Sequence, residues 1–377
     1  RLAGVTAGRT AICSLTGTLR YRGYAIDDLV NGSFEEVAHL LLWGRLPTAA
    51  ELEAFAGRIR EAARSLPPVV SELLARLAEA APQASMMDAL RTVVSLLGQL
   101  AADNGPNLPA DRTAVETQIG IAERLLGQVP AALAGWVDLV SNRVPEPWPD
   151  APLAAALLSR LRGGRVTAAE TRAFNTTLIL YAEHEFNAST FAARTVASTG
   201  ADMHSAVTAA IGALKGPLHG GANEKVLEQL GDIGSSDRVE PWLAEQLAAR
   251  RVVMGFGHRV YKAGDVRAVL LKDVCRELIR TDGVAESHRQ LEQLAERLEA
   301  LMAAQKGLRP NLDWPAARVY HALGLPVSVF TPIFVVARMS GWTAHIVEQM
   351  GDNRLIRPLA EYCGPDPQPY RPLDSRG

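Results

Sequence analysis

The sequence predicts a mostly α-helical fold, and three observations predict it. Ala and Leu dominate a composition that is 48% hydrophobic and 21% charged. Apolar runs recur in helical patterns, punctuated by Gly and Pro breaks. No block alternates with the period of two that a half-buried sheet needs. The length of 377 residues fits two domains or one large one.

The elements can be justified in order. Residues 4–24 are rich in Gly, Thr and Arg and hold short β-like pieces, notably 19–24. Ser33-Phe34-Glu35-Glu36 has the form of an N-cap for the apolar run 37–43. Residues 44–48 break that helix, and Thr48 is placed to cap the next, 51–66. Further helices are expected over 69–80, 86–97, 114–126 and 130–143, with Pro-rich breaks at 67–68, 104–109 and 145–149. Thr167 opens a helical pattern that runs on to Thr190. Helices then follow over 202–214, 224–230, 241–249, 269–281 and 287–305, with a polar linker at 231–238. The charged helix 287–305 reads as a solvated face. The last helix, 330–350, is apolar but interrupted by Arg338 and Gly341-Trp342. No internal repeat, low-complexity tract or heptad series occurs.

Composition excludes several classes of function. A net charge of −2 and a pI near 6.5 argue against a nucleic-acid binder, which is normally basic. No uninterrupted apolar run reaches the roughly 18 residues of a membrane span. The start lacks a signal-peptide apolar core and an initiator Met, so a few residues are expected to be missing. Cys13, Cys275 and Cys363 are scattered, forming neither a disulfide framework nor a CxxC pair. A reducing, cytoplasmic setting is the expectation.

Four stretches carry chemistry. Lys215-Gly216-Pro217-Leu218-His219-Gly220-Gly221 holds an imidazole on a glycine-proline turn, either presented to a cavity or simply solvated. Glu183-His184-Glu185 lacks the HExxH spacing, since position 188 is Ala, so a polar ring facing a ligand or a buried network is favoured over a metal site. Gly255-Phe256-Gly257-His258 is neither a dinucleotide fingerprint nor a Walker motif, because Val260 stands where a third Gly belongs. Its backbone N–H groups and Lys262 still suit a phosphorylated ligand. Asp313, between Leu312 and Trp314, is either a desolvated base or the N-cap of a helix over 315–323. Arg338 within an apolar run needs a partner, and a carboxylate ligand is one candidate. Arg354 and Arg357 add two guanidinium groups. Together these suit proton abstraction α to a carbonyl in a pocket for a polyanion.

At this point a resemblance can be stated. Gly216-Pro217-Leu218-His219-Gly220-Gly221-Ala222-Asn223, Gly255-Phe256-Gly257-His258-Arg259-Val260-Tyr261-Lys262, Pro310-Asn311-Leu312-Asp313 and Asp352-Asn353-Arg354-Leu355-Ile356-Arg357-Pro358 resemble the citrate synthase family, in its order and spacing. Residues 4–12, 21–24 and 183–191 are similar too, so the resemblance covers almost the whole chain. It implies an all-α, two-domain helical homodimer: a large domain over 1–219 and 326–377, and a small one over 220–325 that closes over the substrates. It implies that oxaloacetate condenses with an acyl-CoA through an enol, that the thioester is then hydrolysed to a tricarboxylate, and that no metal or other cofactor takes part. By the family's pattern Asp313 removes the α-proton, His219 hydrogen-bonds the enol oxygen and His258 polarises the oxaloacetate carbonyl. His184, Arg267 and Arg338 hold the oxaloacetate carboxylates, with Arg357 reaching in from the partner subunit. Val252, Val253, Met254, Gly255 and Phe256 line the adenine end of CoA, Lys262 lies near its phosphates and Asn311 near the pantetheine.

The chain departs from the pattern in places. Asp265-Val266-Arg267 replaces the usual Asp-Pro-Arg and is expected to relax the loop holding Arg267. Ala84-Ser85-Met86 stands for a common His-Pro-Met, and 101–112 is short. Residues 182–187, Asn311-Leu312-Asp313-Trp314 and Gly341-Trp342-Thr343-Ala344-His345 resemble the 2-methylcitrate synthase branch, which prefers propionyl-CoA; acetyl-CoA is the alternative. Since one methylene in an apolar pocket discriminates by about 1–3 kcal/mol, a few pocket residues decide. A non-catalytic acyl-CoA or oxaloacetate sensor also stays open, although the intact His219, His258 and Asp313 argue against it. So does the citryl-CoA-handling part of an ATP-dependent lyase, which would need a nucleotide-activating partner chain.

Overall fold

The computed structural model describes residues 5–81, 83–101, 115–258, 260–261, 264–280 and 285–376, and over these the chain is built almost wholly from α-helices. The β-like opening forms a small antiparallel sheet of β1 (Cys13–Ser14), β2 (Arg20–Tyr21) and β3 (Tyr24–Ala25). Its register sets Cys13 opposite Tyr21 and Tyr21 opposite Tyr24. Then come α1 (Ile26–Leu29), α2 (Phe34–Trp43), α3 (Ala49–Arg64), α4 (Pro68–Ala80) and α5 (Met86–Leu100). Ser33 caps α2 by accepting from the Glu36 N–H, and Thr48 forms a capping box with Glu51 at the start of α3.

The next helices are α6 (Val115–Val140), α7 (Leu153–Arg162), α8 (Ala168–Tyr181), α9 (Ala188–Ser198) and α10 (Met203–Leu214). Two expectations fail here. The predicted pair over 114–126 and 130–143 is one helix, α6, which runs through Pro130. Pro130 offers no N–H to the helix, yet Ile119, Leu126, Val129, Leu133 and Trp136 bury one continuous face that outweighs a single lost bond. The pattern expected to run from Thr167 to Thr190 instead breaks after Tyr181. Asn187 caps α9 by accepting from the Thr190 N–H, and Glu185 takes a left-handed φ of 54°. Helix α7 follows a Pro-rich break and was not anticipated.

The remaining helices are α11 (Ala222–Ile233), α12 (Val239–Ala248), α13 (Val266–Arg280), α14 (Glu286–Lys306), α15 (Asp313–Ala322) and α16 (Phe330–Gly351). Helix α11 takes up part of the expected linker at 231–238. Helices α11 and α13 pack on α15, α12 packs on α14, and the group meets the rest of the chain through α8 and α16. Helix α16 is the organising core element, buried over nearly its whole length against α2, α6, α8, α9 and α10. It is long and apolar enough to cross a membrane, but its side chains are spent on the protein interior. From Gly351 to residue 376 the chain is an exposed arm in which only Ile356 is half-buried. The predicted break at 104–109, the expected helix start at residue 114 and Lys262 lie outside the described residues.

Candidate active site

Asp313 is the first residue of α15, and its side chain does not cap that helix. The Tyr181 hydroxyl donates to its Oδ1 at 2.6 Å. Burial raises the Asp313 carboxyl above its usual range, against the pull of Tyr181 and of the Arg267 charge. The loop before it is fastened to the His258 loop. Asn311 donates from Nδ2 to Gly257 O at 3.0 Å and accepts the Asp313 N–H on Oδ1 at 3.1 Å. Backbone bonds from Asn311 N to Gly255 O and from Gly257 N to Arg309 O complete the tie. Gly255 has φ +86°, and a Cβ there would press on Trp314, whose ring lies 4.5 Å from Phe256. The Leu312 N–H reaches Asp265 Oδ2 at 3.2 Å, which links this loop to α13.

His219 stands on the turn between α10 and α11, with its N–H bonded to Gly216 O. Its Nε2 receives the backbone N–H of Ser189 at 3.2 Å and lies 2.8 Å from Ser189 Oγ. An amide can only donate, so Nε2 is the bare nitrogen and Nδ1 carries the proton. Trp342 donates to the same Ser189 hydroxyl at 3.1 Å. Burial, then the Arg338 charge, lowers the His219 pKa to about 4. The ring is therefore a neutral donor near pH 7. His258 holds the opposite tautomer: its Nδ1 accepts from the Val260 and Tyr261 N–H groups at 3.1 and 3.2 Å, leaving the proton on Nε2.

The cationic side of the site gathers around His184. Its ring lies 5.2 Å from His258 and 5.4 Å from Tyr261, and its Nε2 shares a 3.1 Å hydrogen bond with the Tyr261 hydroxyl. Burial, then Arg267, Arg338 and His258, pushes the His184 pKa well down. Arg267 is gripped by Asp265 through Nε at 3.0 Å and Nη2 at 2.8 Å. Val266 in place of Pro therefore leaves Arg267 firmly held, against the expectation of a relaxed loop. Arg338, 2% exposed, donates from Nε to Tyr181 O at 2.6 Å, and its guanidinium covers the Phe334 ring at 4.7 Å. Phe334 also touches Tyr181 (4.6 Å) and His219 (6.3 Å), so Tyr181, His219 and Arg338 surround one ring.

Other predicted residues fall elsewhere. Arg357 lies on the exposed arm, bonded only to Pro358 O among the described residues. Val252 is exposed, Val253 buried, and Met254 is tied through its backbone to Gln229 of α11. The Asn311 amide is committed to Gly257 and Asp313, bracing the Asp313 loop. Among the described residues no three His, Cys, Asp or Glu side chains converge as metal ligands. Sequence reasoning missed Tyr181, Ser189, Phe334 and Tyr261 as neighbours of the predicted groups. Asp265, given no role of its own in the sequence, proves to be the counter-ion of Arg267.

The buried imidazoles make acid stability a test of this geometry. The unfolded chain's histidines titrate near the usual value, whereas His219 and His184 resist protonation when folded. Their contribution is present above that value and is lost as pH falls below it, because the unfolded chain then binds more protons. Tm is expected to fall between about pH 6.5 and about pH 4, and His219→Gln should flatten that slope. An unchanged slope in the variant would contradict a neutral, buried His219.

A raised-pKa carboxylate and two buried guanidinium groups on helices, with two imidazoles of assigned donor nitrogens on the loops between them, define an enzyme for proton abstraction beside an anion pocket. Its lineage is equally clear. A family model described as "Citrate synthase, C-terminal domain" matches residues 1–359, and the chain belongs to the citrate synthase family. It is 42% identical to citrate synthase 2 of Bacillus subtilis, over 100% of this chain and 98% of that one. It is 41% identical to the 2-methylcitrate synthase of Shewanella oneidensis, over 100% and 97%. A solved citrate synthase from Thermoplasma acidophilum, in ternary complex with carboxymethyl coenzyme A and oxaloacetate, superposes with a TM-score of 0.89 at 31% identity, covering 100% of this chain and 98% of that one. The chain is thus a condensing enzyme of the citrate or 2-methylcitrate synthase type, within a family that uses no cofactor beyond its CoA substrate.

Proposed function

We propose that this enzyme is a 2-methylcitrate synthase, joining propionyl-CoA to oxaloacetate at a site shared between two subunits. What supports the propionyl-CoA reading is the likeness of residues 182–187, Asn311-Leu312-Asp313-Trp314 and Gly341-Trp342-Thr343-Ala344-His345 to the 2-methylcitrate synthase branch, two of which meet where Glu183 Oε1 accepts from His345 Nε2 at 2.8 Å. Acetyl-CoA is the second reading, supported by the 42% identity to citrate synthase 2 of Bacillus subtilis.

Oxaloacetate enters first, its carboxylates taken by His184, Arg267 and Arg338 and by Arg357 of the partner subunit. The helices over 220–325 act as a small domain that closes on it and completes the CoA site, excluding water. Val252, Val253, Met254, Gly255 and Phe256 line the CoA end, with Lys262 toward its phosphates. Asp313 takes the α-proton of the thioester, and the His219 Nδ1–H donates to the enol oxygen. His258 Nε2–H polarises the ketone of oxaloacetate, the enol carbon attacks it, and water then cleaves the thioester. Two neutral imidazoles as donors avoid placing extra fixed charge beside a dianion. The setting is proposed to be cytoplasmic.

The deciding experiment is thiol release from CoA in the presence of oxaloacetate, comparing kcat/KM for propionyl-CoA and acetyl-CoA. A propionyl preference of roughly 10-fold or more is expected, the scale one methylene can supply. An acetyl preference would make the enzyme a citrate synthase. No thiol from either would leave only a sensor.

A further inference from the structure

Behind Arg338 lies a buried charged array that the proposed chemistry does not use. His345 sits two helical turns beyond Arg338 on α16 and bonds Glu183 Oε1. Its other nitrogen, Nδ1, receives Arg194 Nη1–H at 3.0 Å, which fixes the proton on Nε2. Arg194 is in turn anchored by Glu348 Oε2 at 2.6 Å and Gln349 Oε1 at 3.1 Å, and Glu348 Oε1 accepts the Ala11 N–H at 2.8 Å. Glu183 is wholly buried, and its Oε2 has no hydrogen-bond partner. That bare oxygen faces Gly341, where an added Cβ would collide with it and press on Arg338 Cδ. Glu183 and Arg338 therefore meet over one glycine, and the Glu183 charge favours the cationic form of Arg338. Among the described residues, however, the hydrogen-bond partner of the Glu183 carboxylate is His345, and Arg338 pairs with no carboxylate.

A carboxylate beside a guanidinium in a dry pocket is drawn to it by charge-assisted hydrogen bonding. We infer that His345 is a positioning residue that restrains Glu183 from closing onto Arg338, keeping the Arg338 fork open for a substrate carboxylate. Glu183 still lends negative charge to the buried guanidinium while the site is empty. Arg194 and Glu348 hold the imidazole in the one tautomer that can do this. The inference rests on the reading that Arg338 binds oxaloacetate.

The test is a set of steady-state measurements on the intact enzyme with oxaloacetate varied at saturating acyl-CoA. His345→Leu releases Glu183, so KM for oxaloacetate should rise by roughly 10-fold or more, the scale of one competing charge-assisted bond, with a smaller change in kcat. Adding Glu183→Gln to that variant removes the competitor and should restore KM to within a few-fold of the parent. His345→Gln, which can still donate to Glu183, should stay near the parent. If His345→Leu does not fold, Glu183→Gln alone remains decisive: its KM should be unchanged or lower. A raised KM in Glu183→Gln, or a His345→Leu defect that Glu183→Gln fails to relieve, would overturn the restraint. Arg338→Gln is measured alongside. If it leaves KM unaltered, the carboxylate-binding reading falls and the restraint with it. If it raises KM while the suppression fails, the restraint alone is lost.

Discussion

Asp313→Asn is expected to remove almost all condensation, lowering kcat by about 10²–10⁴-fold, the range a positioned general base supplies. Asparagine keeps the shape of the side chain, so the Asp313 N–H can still reach Asn311 and the loop should stay tied to Gly257. Oxaloacetate binding, followed by calorimetry, should therefore persist while thiol release disappears. Loss of both together would mean that the carboxylate holds the loop rather than takes the proton. The site also predicts how the base is tuned. Burial raises the Asp313 pKa and the Tyr181 hydroxyl opposes that rise, so kcat falls as pH drops through the raised value and Asp313 becomes protonated.

His219→Ala is expected to cost roughly 10²–10³-fold in kcat, as removal of a preorganised donor to a developing oxyanion does. The side chain is neutral, so its contribution is a directed N–H rather than a charge. Exchange of the acyl α-protons with solvent, read by NMR in the absence of condensation, should be lost in the same variant. Retained exchange without product would move His219 from enolisation to the later bond-forming step. Ser189→Ala should be milder, because the backbone N–H that fixes the tautomer remains when the hydroxyl is gone.

The helical class was legible because α2, α3, α5 and α10 each carry a capping residue and an apolar face in contiguous sequence. Helix α6 was misread because Pro130 is a local signal, whereas the burial that keeps the helix whole comes from α3 and α16. The turn bearing His219 and the loop bearing Asp313 could be found from their Gly, Pro and Trp neighbours. Their partners could not. Tyr181 meets Asp313 across 132 residues and Ser189 meets His219 across 30, and nothing in either local pattern announces the contact. The choice between base and N-cap at Asp313 was likewise open until Tyr181 was seen to claim the carboxylate. Position 266 shows the reverse case: a departure from pattern that looked disruptive is absorbed, because Asp265 and not the missing proline ring holds Arg267.

The exposed arm from Gly351 to residue 376 leaves Arg357 open to solvent, just beyond Ile356, whose N–H is tied to Ser198 Oγ. If each site borrows that residue from a neighbour, the unit on which selection acts is a pair of polypeptides. A gene encoding Arg338→Gln and another encoding Arg357→Ala would each fail alone. Expressed together, they would yield mixed pairs in which one site draws an intact Arg338 from one chain and an intact Arg357 from the other. Two defective alleles would then support growth that neither supports by itself.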